Sequence, residues 1–237
     1  MNGGRGDGFL EAGETGKTSV QRRIGLARAS SDNGAALLLE DFRNALIAYT
    51  RLSAFEREQP AYPTFVTIEL AEGAASASMP LEAAEGTRFD AIVLALELPA
   101  PACCEPLADT LRALSQSGAI KPDTCVYAII CDPGTDGGSS AAATDKAARA
   151  CKQADARWCG AVVVTDAPLI PRLVRAPRLG MWRRPVSKAI DRLVAAVRMG
   201  CALNELDALL GVDCERANTD NVIVASPHPI WRFFNRG

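Results

Sequence analysis

Three short stretches of this chain hold most of the residues able to do chemistry, and each follows an apolar run. Arg28-Ala29-Ser30-Ser31-Asp32-Asn33-Gly34 offers two hydroxyls, an amide and the free N–H groups of a coming helix. That set suits a phosphate held by Ser30, Ser31 and Asn33, and equally an ordinary capped helix start. Asp32 would repel a phosphate unless it points away. In Glu97-Leu98-Pro99-Ala100-Pro101-Ala102-Cys103-Cys104 the prolines stiffen the chain. The backbone of Pro99, Ala100, Pro101 and Ala102 would serve as a wall for a flat ring or as a plain connection. The third stretch runs from Asp132 to Ser140 and contains Gly134, Gly137 and Gly138. Its glycines let backbone N–H groups approach a polar ring edge, or simply supply a turn with positive φ.

Other constellations are poorer. His228 is the single histidine, set in Ser-Pro-His-Pro, so neither a Ser/His/Asp set nor a zinc site of usual spacing is arguable. The eight cysteines contain no C-x-x-C pair. Cys125, Cys131, Cys151 and Cys159 lie in or beside apolar runs and read as small buried hydrophobes; the adjacent Cys103 and Cys104 fall in a loop. GETGKT near the start lacks the first glycine of a nucleotide-binding loop, because Glu11 stands in that place. The run from Pro171 to Lys188 holds Arg172, Arg175, Arg178, Arg183 and Arg184 without an acid, a solvated basic face or a seat for a cofactor phosphate.

The elements that must position these loops alternate. Residues 23–27 and 64–70 read as strands, and 89–96, 125–130 and 158–165 as strands too apolar to have a wet face. Helical spacing joins Leu38, Phe42, Ala45, Tyr49 and Leu52; further helices are expected at 107–114, 141–156, from Pro185 onward and at 202–210. Strand–helix alternation predicts an α/β three-layer sandwich: a five-stranded parallel sheet in the flavodoxin-like order 2-1-3-4-5, helices on both faces. Ligands in such folds bind at the carboxyl ends of the strands, where the order reverses. Residues 1–20 are Gly-rich and polar and read as a disordered segment, with one domain over 21–237 that includes the aromatic tail.

A formal net charge of -2 gives no basic surface for nucleic acid, and no apolar stretch is long enough to span a membrane. With no signal-peptide core at the start, a cytoplasmic protein is expected.

The runs FDAIVLAL, CVYAIICDPG, AARACKQADARWCGAVVV and RRPVSKAIDRLVAAVRMG together resemble the NAD(P)H-dependent FMN reductase branch of the flavodoxin-like superfamily. Trp158-Cys159-Gly160-Ala161-Val162 stands where that family has a tryptophan, a glycine and an apolar strand, and the tail VIVASPHPIWRFFNRG is similar to the endings of some members. The resemblance implies bound FMN, NAD(P)H as electron donor and a small-molecule electron acceptor, with no side-chain acid or base. Ser30, Ser31 and Asn33 would hold the FMN phosphate, and backbone at 99–102 and 132–138 would flank the ring. Two departures stand against it. Leu26-Ala27-Arg28-Ala29 replaces the Gly-Ser-Pro-Arg-like loop, and Glu97-Leu98-Pro99 replaces Pro-Leu-Tyr, putting a carboxylate where reduced flavin would be. The alternative is a flavodoxin-like module that has lost the flavin and acts as a binding or assembly partner. Trp231, Phe233 and Phe234 would pack at home, close over a site or dock a second subunit in a homo-oligomer.

Overall fold

The computed structural model describes residues 21–28, 34–54, 62–70, 88–98, 104–134, 138–175, 180–211 and 221–227. The expectations for residues 1–20, for His228 and for the aromatic tail fall outside them.

Among the described residues six strands form one sheet: β1 (Arg23–Arg28), β2 (Thr64–Glu69), β3 (Ala91–Glu97), β4 (Cys125–Cys131), β5 (Arg157–Val164) and β6 (Val222–Ala225). Their order is β2-β1-β3-β4-β5-β6, and every pair is parallel. This is the expected flavodoxin-like order with one strand added beyond β5. Helices α1 (Gly34–Ala54), α2 (Cys104–Gln116), α3 (Gly138–Gln153), α4 (Ile170–Arg175), α5 (Gly180–Met199) and α6 (Leu203–Leu209) cross between the strands.

Strand alternation divides the core in two. Ala91, Val93 and Ala95 join Leu38, Phe42 and Leu46 of α1 and Ile190, Leu193 and Val197 of α5 on one face. Ile92, Leu94 and Leu96 meet Leu107, Leu111 and Leu114 of α2 and Ala143, Ala147 and Ala150 of α3 on the other. β4 is buried at every position, which is why its sequence is apolar without a break. Cys125, Cys131, Cys151 and Cys159 are all buried, as their surroundings in the sequence suggest.

Several boundaries move. Pro185 stands inside α5 instead of opening it, because the helix starts at Gly180. The basic run is partly helical, and it supplies α4 and the first turns of α5. Arg183 is not part of a solvated face: it is half-buried and forms an ion pair with Asp41 of α1. No helix among the described residues is long and apolar enough to cross a membrane.

Candidate functional site at the carboxyl edge of the sheet

The strand order reverses between β1 and β3, so the crevice by their carboxyl ends is where a ligand would be sought. It lies beside the N-terminus of α1, whose first N–H groups have no partner within the helix. Glu97, the last residue of β3, meets them. Its carboxylate lies by the backbone N–H groups of Gly34 and Ala35, which favour its charged form. The strand thus caps the helix across a long stretch of sequence. Burial nevertheless raises the Glu97 pKa above the ordinary glutamate value, with those two N–H groups pulling the other way. Its Oε2 is buried without a hydrogen-bond partner.

β4 ends beside β3, with Glu97 opposite Cys131 and the Leu98 N–H donating to the Cys131 carbonyl at 2.8 Å. Burial, then the nearby Glu97 charge, pushes the Cys131 thiol far up, so it is a neutral packing group.

Asp132 follows and is only 1% exposed. Its Oδ1 accepts the Gly134 N–H at 2.8 Å, a side-chain turn of the kind aspartate favours. The Asp132 N–H donates to the Val164 carbonyl at 2.8 Å, and its carbonyl accepts from Ala167 at 3.1 Å. Gly134 is used on both sides, since its carbonyl accepts the Asp166 N–H at 3.1 Å. Asp132 Oδ2 is a second buried oxygen with no partner. Asp166 adopts the left-handed conformation at φ 53°, and its Oδ2 accepts the Ser226 hydroxyl at 3.0 Å. The loops after β4, β5 and β6 are therefore laced together.

Of the residues expected to bind a cofactor, Ser30, Ser31, Asn33, Pro99, Ala100, Pro101, Ala102 and Gly137 lie outside the described residues. Asp132 and Gly134 are at the carboxyl edge, turned toward their own loop, and Gly138 begins α3. Arg28 ends β1 and directs Nε and a terminal nitrogen to Glu69 of β2, at 3.2 and 3.1 Å. A cavity of about 220 Å³ lies beyond it, lined by Leu26, Arg28, Leu39, Arg43, Phe65 and Thr67 among others. Its cations are already matched, Arg28 by Glu69 and Arg43 by Glu40. Among the described residues no cluster of His, Cys, Asp and Glu has the makings of a metal site.

Reading from sequence found the edge and missed the role of Glu97. The signal was there: a carboxylate closing an otherwise apolar strand must find donors, and the nearest free ones start α1.

No family model and no curated protein matches the sequence. Among solved structures, the chain is similar to an NAD(P)H:quinone oxidoreductase from Methanothermobacter marburgensis, at 13% identity and TM-score 0.44, covering 76% of this chain and 96% of that one. It is also similar to an SsGBP mutation variant, at 13% identity and TM-score 0.41, covering 75% of this chain. The chain spans 57% of the length of that protein. At such distances neither likeness assigns a family or an activity, and what stands is the flavodoxin-like order of the sheet itself.

Proposed function

We propose that this chain is a flavodoxin-like module that works by binding or assembling with a partner, its own Glu97 carboxylate occupying the helix N-terminus where a flavin phosphate would be held. The observation that carries this reading is the placement of the Glu97 carboxylate by the N–H groups of Gly34 and Ala35. A phosphate brought there would lose those two donors, each worth about 1.5–3 kcal/mol to a charged group. It would also meet a carboxylate, at a cost of about 4 kcal/mol per pair of unit charges 4 Å apart near a surface. The two effects add. The loop after β4 supports the same reading, because Gly134 already has internal partners on both its N–H and its carbonyl.

The test is a titration of FMN with the full chain, followed by flavin fluorescence. The wild type is expected to leave FMN fluorescence unchanged, and Glu97→Ala, with the α1 N–H groups freed, to bind inorganic phosphate or FMN measurably. Quenching of FMN by the wild type would overturn the proposal.

The second reading is the FMN-dependent NAD(P)H oxidoreductase acting on a small acceptor. It is favoured by the reversal of strand order at the crevice, and by the raised Glu97 pKa, which brings the neutral acid within reach. When bound, the flavin would supply the redox chemistry. Ser30, Ser31 and Asn33 would then hold its phosphate, with Glu97 protonated or displaced. FMN binding that strengthens as pH falls in the wild type, and loses that dependence in Glu97→Gln, is the outcome this reading requires.

A further inference from the structure

The cavity beside β2 is lined by β1 and β2 on one side and by α1 on the other. Arg28 pairs in register with Glu69 and Leu26 with Thr67, so these four residues share one face of the sheet. Phe65 stands on that face too, half-buried against the core that α1 covers. From the helix come Ala36, Leu39, Glu40 and Arg43, three or four apart and so on one stripe. A helix stripe that looks onto a sheet is ordinarily apolar. Here it passes from Ala36 and Leu39 to Glu40 and Arg43 as it meets the edge strand. The result is a groove with an apolar lining from Leu26, Leu39 and Phe65 and with charged groups of both signs.

Both ion pairs of this groove are loose. Arg28 sends Nε and a terminal nitrogen to the same oxygen of Glu69, at 3.2 and 3.1 Å, where a matched fork would give one to each oxygen. Arg43 reaches the two oxygens of Glu40 only at 3.5 and 3.4 Å, beyond the about 2.7–2.9 Å of a strong charge-assisted bond. The side chains of Glu69 and Glu40 are 53% and 55% exposed, and ion pairs so wet contribute little and open readily. The guanidinium of Arg43 is better held than its ion pair suggests. It lies over the Phe65 ring, 5.6 Å from the centroid, which keeps it at the groove.

A bare anion is poorly served here, because each guanidinium has a carboxylate beside it and the four charges cancel. What fits is a molecule that carries both signs at one end and an apolar body at the other. We infer that this groove binds a small zwitterion with an apolar body, the chemistry of a free aliphatic α-amino acid. Its carboxylate takes Arg28 and Arg43, its ammonium takes Glu40 and Glu69, and its side chain lies against Leu26, Leu39 and Phe65. At about 220 Å³ the cavity is smaller than a drug-sized site, about 300–1,000 Å³, so the occupant has the size of an amino acid and not of a nucleotide. Glu97 takes no part, so this site stands whichever way FMN titrates.

The experiment titrates the full chain with L-leucine and follows the NMR signals of Phe65, Thr67 and the Arg28 and Arg43 side chains. Saturable shifts at those residues are the expected result. Isocaproate, which lacks the ammonium, and isoamylamine, which lacks the carboxylate, should each bind at least about tenfold more weakly, the usual loss when one hydrogen-bonded charge is removed. Glu40→Gln should weaken leucine and spare isocaproate; Arg43→Gln should weaken leucine and spare isoamylamine. The comparison of the three ligands on the wild type needs no variant, so a folding defect in either mutant leaves it decisive. Absence of a saturable shift with leucine would overturn the inference. So would isocaproate binding as tightly as leucine, the mark of a plain anion site, or leucine shifts confined to another part of the chain.

Discussion

A carboxylate that ends a buried strand is stable only if something donates to it, and Glu97, set by the N–H groups of Gly34 and Ala35, still keeps its buried Oε2 without a partner. That shortfall leaves a pH signature. Its folded pKa lies above the ordinary glutamate value, so the folded chain holds a proton there that the unfolded chain has already released. The contribution of Glu97 to stability is thus fully present below the unfolded pKa and lost as pH rises through the folded one. Thermal melts between about pH 4 and pH 8 should show that loss in the wild type, and Glu97→Gln, which still accepts from Gly34 and Ala35, should fall less steeply. Parallel curves would mean that the charge on Glu97 is better solvated than its buried Oε2 indicates. Asp41 and Arg183 are a second case at this scale, one ion pair joining α1 to α5. Burial lowers the Arg183 pKa, so the guanidinium depends on its partner. Asp41→Ala should destabilise the chain by about 1–3 kcal/mol in urea unfolding, the usual effect of stranding a buried donor.

Elements were legible where burial was complete and obscure where it was not. The apolar runs of β3, β4 and β5 could only be strands covered on both faces, and the core agrees. β6 escaped because Val222–Ala225 is four residues long with Val224 60% exposed, so no periodicity marks it off from the tail. α4 escaped because Pro171 and two arginines stand among its six residues. The candidate site was legible as a place and not as a mechanism. Glu97 and the α1 N-terminus are far apart in sequence, and only the crossover from β1 through α1 and β2 brings them together. The face of Cys159 in β5 was hidden for a related reason, since the register slips by one residue between Val126 and Tyr127 and such a slip reverses the face of a side chain. Gly160 is the test of that element. Gly160→Ala would force a Cβ against Asn221 in a conformation L-residues avoid, at a cost of about 1–3 kcal/mol from the backbone strain alone. The midpoint of thermal unfolding should drop by about 2–4 °C for each kcal/mol. An unchanged midpoint would mean that β5 can straighten.

The described residues form one parallel sheet with two unlike margins. β2 is half covered, while β6 is held by β5 and by the Ser226–Asp166 hydrogen bond. Amide hydrogen exchange should follow this plan: slowest in β3, β4 and β5, fastest in β2 and β6, where fewer neighbours must part for opening. Equal protection across all six strands would mean that the sheet opens only as a unit. Parallel pairing has a further consequence, in time. No two neighbouring strands can meet through a tight turn, since each pair needs a crossover between residues such as Ala91 and Cys125, or Ala161 and Val222. Loop closure must therefore precede every ladder, and the first productive contact is a distant one. Such a chain reaches its native state on the slow side of single-domain proteins, in milliseconds to seconds, with apolar strands such as β4 unpaired for much of the journey.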